Sequence, residues 1–466
     1  MCGIIGVTGV PDAARVAYLG LYSLQHRGQE SAGIVALDAA GEARSHRGMG
    51  LVSDLFSERV LSGLPGDVAI GHARYSTAGT SVLANAQPVL ARYREGPLAL
   101  AHNGNLTNAV QLRADLVAKG SIFQSSSDSE VLVHLIARSE AREPEDQLLD
   151  ALERVEGAYS LVITVGRTLY AVVDPRGFRP LVLGRLGSGW VVASETCALD
   201  IAGATAVREL EPGDFLRIQG ARLDELPRLP PKPHRRCVFE LVYFSRPDST
   251  VFHRSVDRVR RRLGHELAHE HPAPGADCVF SVPDSANAMA LGFSEESGIK
   301  LEHALIRNHY VGRTFIHPAQ PGRTTRVKIK FNPVREVLEG KRVVVVDDSI
   351  VRGTTSRALV QLIRQAGAKE VHFRVASPPI TGPCYYGIDT PTKAELIGSS
   401  HGVETIRRHL GVDSLGYLSL EGMLRAAGGD SGEFCHACFS GDYPTPIPDE
   451  LAGARHAAPL QVALPA

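Results

Sequence analysis

Two stretches of the sequence contain residue types whose spacing could support chemistry. The first is the N-terminus, where Cys2 directly follows Met1, so removal of Met1 would place the thiol beside its own α-amino group. With a pKa of about 7.7–8.0 that amine is the best local proton acceptor, and one residue could then supply both nucleophile and base. Taken alone, Cys2 fits an inert cysteine buried in a first strand equally well.

The second stretch is the loop that follows the valine run at residues 343–346. Four consecutive β-branched residues predict a strand buried on both faces of a parallel sheet. The strand ends in Asp347 and Asp348, and the loop of residues 349–355 precedes a helical pattern that Gly367 would stop. Because ligands bind where such strands end and helices begin, the loop can hold a phosphate, whereas the two carboxylates suit sugar hydroxyls or Mg²⁺.

The order of hydrophobic strand, acid pair and Gly-Thr-Thr resembles the signature of type I phosphoribosyltransferases, which bind 5-phosphoribosyl-1-pyrophosphate (PRPP). The resemblance implies that the acid pair holds the ribose hydroxyls and that the threonine-rich loop surrounds the 5-phosphate. The residues implied to bind PRPP are Asp347, Asp348, Ser349, Arg352, Gly353, Thr354 and Thr355. The alternatives are a phosphoacceptor receiver domain and a solvated loop, and neither explains the Arg-Gly-Thr-Thr run.

Polar segments at element boundaries follow Cys2 through the first half of the chain. They are residues 24–33, 71–79, 101–106 and 127–130. Asp128 and its neighbours predict an N-cap before a helix over residues 131–137. Asn103-Gly104, taken alone, predicts a hairpin turn. Each segment by itself therefore has an ordinary structural explanation.

In this order behind Cys2, the segments resemble the class II glutamine amidotransferase domain, an N-terminal-nucleophile fold in which two sheets are sandwiched between helices. The resemblance implies that Cys2 is the nucleophile. It also implies that Arg74 and Asp128 hold the α-carboxylate and α-amino group of glutamine. The Asn103 side chain and the Gly104 backbone N–H would form the oxyanion hole for the tetrahedral intermediate.

The seven cysteines are few and scattered, which favours metal binding or catalysis in a reducing compartment over a disulfide framework. Cys435 and Cys438 form a C-x-x-C motif, a weak signal for which zinc with help from His436 is a competitor. A resemblance to amidotransferases of the Bacillus type implies instead that four cysteines ligate a structural [4Fe–4S] cluster, namely Cys237, Cys384, Cys435 and Cys438. Cys197 and Cys278 are expected to pack in the core.

A chain of 466 residues is too long for one ordinary core and predicts two domains. The proline-rich connector at residues 226–233 marks the boundary. Residues 2–230 are expected to form the glutaminase domain, residues 231–448 the phosphoribosyltransferase domain, and residues 449–466 a disordered tail. The expected fold is a two-domain combination of α/β and α+β: an αββα sandwich followed by a parallel α/β sheet.

Two features of the second half concern the expected Mg²⁺ site. By resemblance, Ser285 would help Asp347 and Asp348 to hold the ion. The family usually has glycine at the position of Ala286, which puts the close approach of the backbone to pyrophosphate in doubt.

Basic segments surround the expected PRPP site. The arginines in a helix over residues 256–269 are expected to form a solvated face. Residues 323–330 are expected to form a mobile cationic loop that closes over the phosphates, with an ordinary exposed basic loop as the alternative. His309 stands where the family more often has arginine, which weakens any precise role for it.

Composition limits the possible partners. Hydrophobic residues make up 44% of the chain and charged residues 22%, with a formal net charge of −1. This balance offers no broad electrostatic footprint for nucleic acid or an anionic membrane, so the expected ligands are small molecules. The N-terminus lacks a basic region followed by an apolar run, which favours a cytoplasmic enzyme.

Up to about residue 448 the whole chain resembles the glutamine phosphoribosylpyrophosphate amidotransferases. The resemblance implies the first step of purine biosynthesis, in which glutamine, PRPP and water give 5-phosphoribosylamine, glutamate and diphosphate, with ammonia passed internally between the sites. It also implies feedback inhibition by AMP, GMP or ADP and a homotetramer. Only Met1 precedes Cys2, so maturation is expected to need methionine removal alone, whereas cluster-bearing relatives often carry a short propeptide.

Two alternative functions remain open. Another glutaminase-coupled enzyme, such as a glucosamine-6-phosphate synthase, would lack a PRPP loop and would ignore PRPP. A non-enzymatic regulator that only senses PRPP would have an inactive glutaminase half, so Cys2 would resist alkylation by a glutamine-like electrophile.

Overall fold

The structure is a computed structural model that describes residues 1–75, 80–308, 329–390, 392–449 and 452–453. His309, residues 323–328 of the predicted cationic loop and residues 454–466 of the predicted tail lie outside these ranges. Within the described ranges, no helix combines the length and apolar character needed to cross a membrane.

The first half of the chain forms two antiparallel sheets. One sheet contains β1 (Gly3–Thr8), β2 (Ser31–Leu37), β3 (Ala43–Met49), β4 (Val68–Arg74), β9 (Val182–Leu186), β10 (Gly189–Ala193) and β11 (Thr205–Glu209). The other contains β5 (Val89–Tyr93), β6 (Gly96–Leu106), β7 (Gly157–Val165), β8 (Thr168–Val173), β12 (Phe215–Gln219) and β13 (Arg222–Glu225). Their strand orders are β11-β9-β10-β1-β4-β2-β3 and β13-β12-β8-β7-β6-β5. After β12 the chain turns back, and β13 pairs with β12 at the edge of the second sheet.

Helices cover the outer faces of both sheets. They are α1 (Ala13–Ser23), α2 (Val52–Leu55), α3 (Glu58–Ser62), α4 (Ala109–Ala118), α5 (Ser129–Arg138), α6 (Pro144–Leu152) and α7 (Thr196–Ala202). Residues of β1 alternate between two apolar layers. Ile5 and Val7 pack under α1, whereas Ile4 packs between the two sheets against Val162. A third apolar layer joins the second sheet to α5. The predicted αββα sandwich is therefore confirmed.

The second half contains a parallel sheet and three short strand pairs. Its strands are β14 (Arg236–Cys237), β15 (Thr250–Val251), β16 (Arg254–Ser255), β17 (Cys278–Ser281), β18 (Leu305–Arg307), β19 (Phe331–Pro333), β20 (Arg342–Asp347), β21 (Glu370–Val375), β22 (Ser414–Tyr417) and β23 (Phe434–Cys435). The parallel sheet has the order β17-β20-β21-β22. Its helices are α8 (Val256–Glu270), α9 (Asn287–Ser297), α10 (Arg335–Leu338), α11 (Thr354–Gln365), α12 (Ile397–Ser400), α13 (Val403–Leu410), α14 (Leu420–Ala427) and α15 (Ala437–Ser440).

Strand β20 is buried on both faces, as its valine run predicts. Val344 and Val346 belong to the apolar cluster that contains α8 and α9, whereas Val343 and Val345 belong to the cluster that contains α11. Full burial of a valine side chain stabilises a fold by about 1.5–3 kcal/mol. The strand is thus fixed from both sides, and the loop that follows it has a rigid base.

The two halves share an apolar core. Met1, Ala158 and Phe178 of the first half belong to the same buried cluster as Val238 of the second half. The rings of Phe178 and Tyr386 stack with centroids 4.4 Å apart. Because burial of apolar surface is the main favourable term in association, this cluster holds the halves together.

Candidate active sites

Cys2 lies at the start of β1 beside the end of β6. Its backbone N–H donates to Oδ1 of Asn103 over 3.2 Å, and its sulfur lies 3.6 Å from the carbonyl oxygen of Tyr75. The Nδ2 atom of Asn103 is buried and has no hydrogen-bond partner among the described residues. A buried donor without a partner is costly in a folded protein. This amide is therefore available to a substrate oxygen near the Cys2 thiol.

Gly104 follows Asn103 inside β6, so the hairpin turn that the pair alone would predict is absent from this strand. Its φ is +153°, and a Cβ atom at this position would lie 2.0 Å from the carbonyl oxygen of Ala158. Only glycine fits such a close approach of two backbones. The backbone geometry therefore requires glycine at position 104, beside the candidate oxyanion site.

Arg74 and Asp128 flank the same end of β6. Arg74 ends β4, is almost fully buried and forms an ion pair with Glu30. The N-cap predicted at Asp128 is wrong in its hydrogen bonding: Asp128 stands before α5, but its side chain makes no cap bond. Its carboxylate accepts instead from the backbone N–H of Leu106 over 2.9 Å. The Asp128 side chain is thereby turned toward β6 and the candidate glutamine site.

Several supporting residues of this site were not assigned by sequence reasoning. His102 contacts Ser129 Oγ at 2.9 Å through Nδ1 and the Ala158 carbonyl oxygen at 3.1 Å through Nε2, and its backbone N–H donates to Gln87. His72 contacts the carbonyl oxygen of His102 at 3.1 Å, and burial lowers its pKa to about 3. Both histidines lie within polar segments that the sequence singles out, so their position was the available signal.

The surroundings of the N-terminus favour a neutral amine. Met1 has no exposed surface, and burial lowers the pKa of its α-amino group to about 6, with Arg179 and Arg27 acting in the same direction. Desolvation and nearby cations both disfavour an ammonium ion. An amine in this region of the protein can therefore accept a proton at neutral pH.

The second candidate site lies at the carboxyl end of β20. Asp348 is buried and Asp347 is half-buried, and desolvation raises the pKa of each carboxyl group. The charge of Asp348 raises the pKa of Asp347 further. The hydroxyls of Ser285 and Ser349 each donate to Asp348 over 2.6 Å. The Asp348 N–H donates to Asp347 Oδ1 over 3.0 Å, so four predicted site residues belong to one hydrogen-bonded group.

The loop after the acid pair leads directly into α11. Gly353 precedes the helix with φ +72°, and Thr354 and Thr355 form its first turn. The open backbone N–H groups of a helical first turn favour an anion. Arg352 pairs with Glu395 over 3.0 Å, so its guanidinium is occupied by an acid in this structure. Ala286 is fully buried before α9.

A cleft of about 270 Å³ extends from the acceptor residues to the first half of the chain. Ser285 and Arg307 lie on its wall together with His26 of the first half. Arg260 also lines this cleft, and the prediction that the arginines of α8 form a solvated face is wrong for it. Its buried guanidinium donates to the carbonyl oxygens of Leu241 and Ser245, because burial of this cation requires satisfied donors.

Buried charges line the boundary between the halves. Arg27 pairs with Glu195 of its own half and donates from Nη2 to Glu240 of the other half over 2.6 Å. Arg179 lies 3.3 Å from the same Glu240, and none of these four side chains is exposed. Burial would lower the pKa of Arg27, but the two carboxylates raise it above its ordinary value. Glu240 therefore joins two buried cations of the first half to the second half.

The four cysteines implied as cluster ligands converge next to this boundary. Cys237 and Cys435 are partners in the β14–β23 pair, and the Tyr386 N–H donates to Cys384 Sγ over 3.3 Å. Burial raises the pKa of Cys435 and Cys438, and the neighbouring cysteines raise both further. Thiolates at such a buried site would need a bound cation to offset their negative charge, and iron ions could supply it.

A single metal ion is not favoured by the arrangement of these side chains. Across the described ranges, no group of three or more His, Cys, Asp or Glu side chains is placed to hold one ion. A zinc site needs its ligands within about 2.0–2.3 Å of one point.

Comparisons with known proteins cover both halves of the chain. Residues 72–200 match the family described as glutamine amidotransferase domain. Amidophosphoribosyltransferase 2 of Arabidopsis thaliana is 53% identical over 97% of this chain and 80% of its own length. The amidophosphoribosyltransferase of Bacillus subtilis is 50% identical over 96% of this chain and 94% of its own length.

Two solved structures match almost the entire chain. The B. subtilis glutamine PRPP amidotransferase complexed with ADP and GMP has a TM-score of 0.91 at 48% identity, covering 97% of this chain and all of that one. A structure described as the allosteric regulatory enzyme of purine biosynthesis has a TM-score of 0.92 at 48% identity and covers 98% of each chain.

The fold and the two candidate sites define a glutamine-dependent amidotransferase, in which a glutaminase half is joined to a phosphoribosyltransferase half. The chain belongs to the amidophosphoribosyltransferase family.

Proposed function

We propose that this protein transfers the amide nitrogen of glutamine to C1 of PRPP, which is the first step of purine biosynthesis. Glutamine, PRPP and water would give 5-phospho-β-D-ribosylamine, glutamate and diphosphate. Residues 2–230 would release the nitrogen, and residues 231–448 would attach it to the sugar. The observation that carries this proposal is the placement of a Cys2–Asn103 site and an Asp347–Asp348 site on either side of one buried boundary.

The glutaminase reaction would begin after removal of Met1. The α-amine of Cys2 would accept the thiol proton, and the thiolate would attack the side-chain amide carbon of glutamine. The negative oxygen of the tetrahedral intermediate would accept from Asn103 Nδ2 and the Gly104 N–H. Ammonia would leave with the proton from the amine, and water would then release glutamate from the γ-glutamyl thioester.

Substrate charges match the flanking residues. The Arg74 guanidinium would bind the α-carboxylate of glutamine, and the Asp128 carboxylate would bind its α-amino group. Arg74 already pairs with Glu30, so glutamine would join or replace an existing ion pair. A free buried arginine would cost far more than this exchange.

In the acceptor reaction, ammonia would attack C1 of PRPP and the C1–O bond to diphosphate would break. The Asp347 and Asp348 carboxylates would accept from the ribose hydroxyls, and the first turn of α11 would bind the 5-phosphate. Ser285, Asp347 and Asp348 offer only oxygen atoms and would hold Mg²⁺, which offsets charge on the departing diphosphate.

Ammonia would have to travel between the sites without being lost to water, where it is mostly protonated. The cleft that contains Ser285 also reaches His26 of the first half, which supports the acceptor end of such a path. Full competition by externally added ammonia with glutamine-derived ammonia during coupled turnover would contradict this path.

The test of the proposed function measures glutamate and diphosphate together, with glutamine, PRPP and Mg²⁺ present. We expect equal amounts of the two products. Cys2→Ser should lower glutamine-dependent diphosphate release by at least about 1,000-fold, because the nucleophile is lost. The same variant should retain release driven by added ammonia. A protein that hydrolyses glutamine but never consumes PRPP would overturn the proposal.

We further propose that Cys237, Cys384, Cys435 and Cys438 hold a [4Fe–4S] cluster with a structural role. The buried Arg179 cation interacts with Cys237, Cys384 and Cys435, and it would offset part of the negative charge of a thiolate-ligated cluster. Protein purified without oxygen should contain iron and acid-labile sulfide in equal amounts and absorb visible light. Stoichiometric zinc without iron would identify a zinc site instead.

Regulation by nucleotides is part of the same proposal. The related B. subtilis structure contains ADP and GMP, and purine nucleotides such as AMP, GMP and ADP are proposed to inhibit this protein as well. We also propose a homotetramer. Inhibition assays and the mass of the assembly in solution test these two points separately.

A further inference from the structure

A short segment of the second half lies directly on the candidate oxyanion residues of the first half. Gly387 has φ +109°, and a Cβ atom at this position would lie 2.9 Å from both the carbonyl carbon and oxygen of Gly104. Real Cβ atoms do not approach a backbone this closely. Only glycine at position 387 therefore allows the backbones of the two halves to come this close at Gly104.

A hydrogen bond links Asn105, which follows Gly104 in β6, to the second half of the chain. The side-chain Nδ2 of Asn105 donates to the carbonyl oxygen of Tyr385 over 2.9 Å, and both residues are buried. Gly104 is limited on its other side by the Ala158 carbonyl oxygen. The end of β6 is thus enclosed between its own half and residues 385–387 of the other half.

The segment itself is firmly held. The Arg179 guanidinium donates twice to the Tyr386 carbonyl oxygen, over 2.7 Å and 3.1 Å. The Tyr386 ring stacks on Phe178, and its hydroxyl lies 3.0 Å from Thr445 Oγ1. Cys384, one of the four converging cysteines, begins the segment and accepts from the Tyr386 N–H. The position of residues 385–387 is therefore set by the boundary and by the cysteine group.

We propose that Tyr385 and Gly387 are positioning residues for glutamine hydrolysis, because they hold the Asn103–Gly104 segment at the distance from Cys2 that the tetrahedral intermediate requires. This inference rests on the proposed function of the glutamine site. A misplacement of about 1 Å in a catalytic group can cost about 100-fold in rate. Residues that contribute no atom to the reaction can therefore control it from the other half of the chain.

The first experiment compares Gly387→Ala with Gly382→Ala, two added methyl groups in the same loop. At Gly387 the methyl group meets the Gly104 backbone, whereas at Gly382 it meets the hydroxyl of the Tyr443 side chain. For Gly387→Ala we expect kcat for glutamine hydrolysis to fall by about 10- to 100-fold with KM changed less than about threefold. Gly382→Ala should remain within about threefold of the unaltered protein in both constants.

Three further measurements separate positioning from general damage. Iron content, the visible spectrum and ammonia-dependent diphosphate release should be the same in Gly387→Ala as in the unaltered protein. The rate of Cys2 alkylation by a glutamine-like electrophile should fall with kcat, because that reaction also develops an oxyanion. Equal loss of glutamine hydrolysis in the Gly387→Ala and Gly382→Ala variants would overturn the proposal.

A second variant covers the case in which Gly387→Ala does not fold. Asn105→Ala removes the donor to Tyr385 without adding atoms, and we expect kcat for glutamine hydrolysis to fall by about fivefold or more with ammonia-dependent activity retained. Unchanged glutamine hydrolysis in a folded Asn105→Ala protein would contradict the positioning role. If the unaltered protein hydrolysed glutamine but never consumed PRPP, the proposed function would fail, while the glutamine assays would still test positioning.

Discussion

The glutamine site and the acceptor site differ in the interactions that hold them together. Around Cys2, polar groups are matched to partners, as in the contacts of Asn103 with the Cys2 N–H and of His102 with Ser129, and in the Arg74–Glu30 ion pair. At the acceptor site, the buried Asp348 lies beside the half-buried Asp347, and the pKa of each is raised. The first arrangement stabilises the folded chain, whereas the second stores electrostatic repulsion.

This difference follows from the chemistry that each site is proposed to perform. A nucleophile and an oxyanion hole act on a substrate with little change in net charge, so fixed dipoles are sufficient. A sugar with three phosphate groups binds together with a cation, and adjacent carboxylates are suited to hold that cation. Repulsion between buried carboxylates in the free protein is therefore expected where binding supplies the missing charge.

The largest loss of stability should come from a substitution at the buried boundary between the two halves. Glu240→Gln leaves Arg27 and Arg179 buried with less compensating charge, and loss of one partner from a buried ion pair costs about 3–5 kcal/mol. Unfolding in denaturant should show this loss. The control is Glu211→Gln, which weakens a partly exposed pair with Arg236 across the same boundary and should cost about 0–1 kcal/mol. Equal losses in both variants would show that burial of the charges does not matter.

Removal of the free amide tests the glutamine site alone. Asn103→Ala should lower kcat for glutamine hydrolysis by about 100- to 1,000-fold, because one preorganised oxyanion donor is worth about 2.7–4 kcal/mol. Diphosphate release driven by added ammonia should not change. A matched variant, Asn85→Ala, removes a buried amide that bonds Thr80 and Ser126 instead, and it should leave kcat within about threefold. A similar loss of kcat in both variants would argue against the oxyanion role.

The acceptor site should respond to neutralisation in the opposite way. Asp348→Asn removes one of two repelling carboxylates, so the free energy of unfolding at neutral pH should rise by about 0.5–2 kcal/mol. Ammonia-dependent diphosphate release should nevertheless fall sharply, because a ligand of the sugar and of Mg²⁺ is lost. Calorimetry and a diphosphate assay on the same preparation check both effects. A less stable protein would contradict the stored repulsion.

The smallest expected effect is a difference in pH dependence between the sites. Burial lowers the pKa of His72 from 6.5 to about 3, so below pH 6.5 the unfolded chain binds a proton that the folded chain does not bind. The neutral His72 therefore contributes stability at neutral pH that is lost in acid. This contribution is complete above about pH 7.5, and below about pH 5.5 it falls by about 1.4 kcal/mol per pH unit as the pH drops toward 3. The raised pKa values of Asp347 and Asp348 change the stability in the opposite direction. Their unfavourable contribution to the free energy of unfolding grows as the pH rises above 3.8, because the unfolded chain then releases protons that the folded chain retains.

Two variants separate these contributions. His72→Gln should flatten the loss of unfolding free energy between pH 6.5 and 5.5 by about 1 kcal/mol, whereas Asp348→Asn should leave that loss in place. Denaturant unfolding at the two pH values measures the difference. Parallel curves for His72→Gln and the unaltered protein would contradict the neutral state of the buried imidazole.

Local patterns in the sequence predicted the elements that carry the sites, but not the contacts that join them. The valine run fixed β20, and the position of Cys2 ahead of the first strand was readable directly. The burial of Arg260 was missed, because a basic helix gives no sign of which arginine meets carbonyl groups. The Arg27–Glu240 pair joins residues 213 positions apart, and the sequence around either residue does not indicate which residue it will contact.

The complete burial of Met1 has a consequence for the order of events during biosynthesis. An aminopeptidase needs a protruding, flexible end of the chain, and the closed protein presents none there, since Met1 has no exposed surface. If Met1 is removed as proposed, its excision would therefore precede the closing of the two halves. The time available for this trimming is set by how quickly the second half is synthesised and docks, so maturation and folding compete for the same few residues.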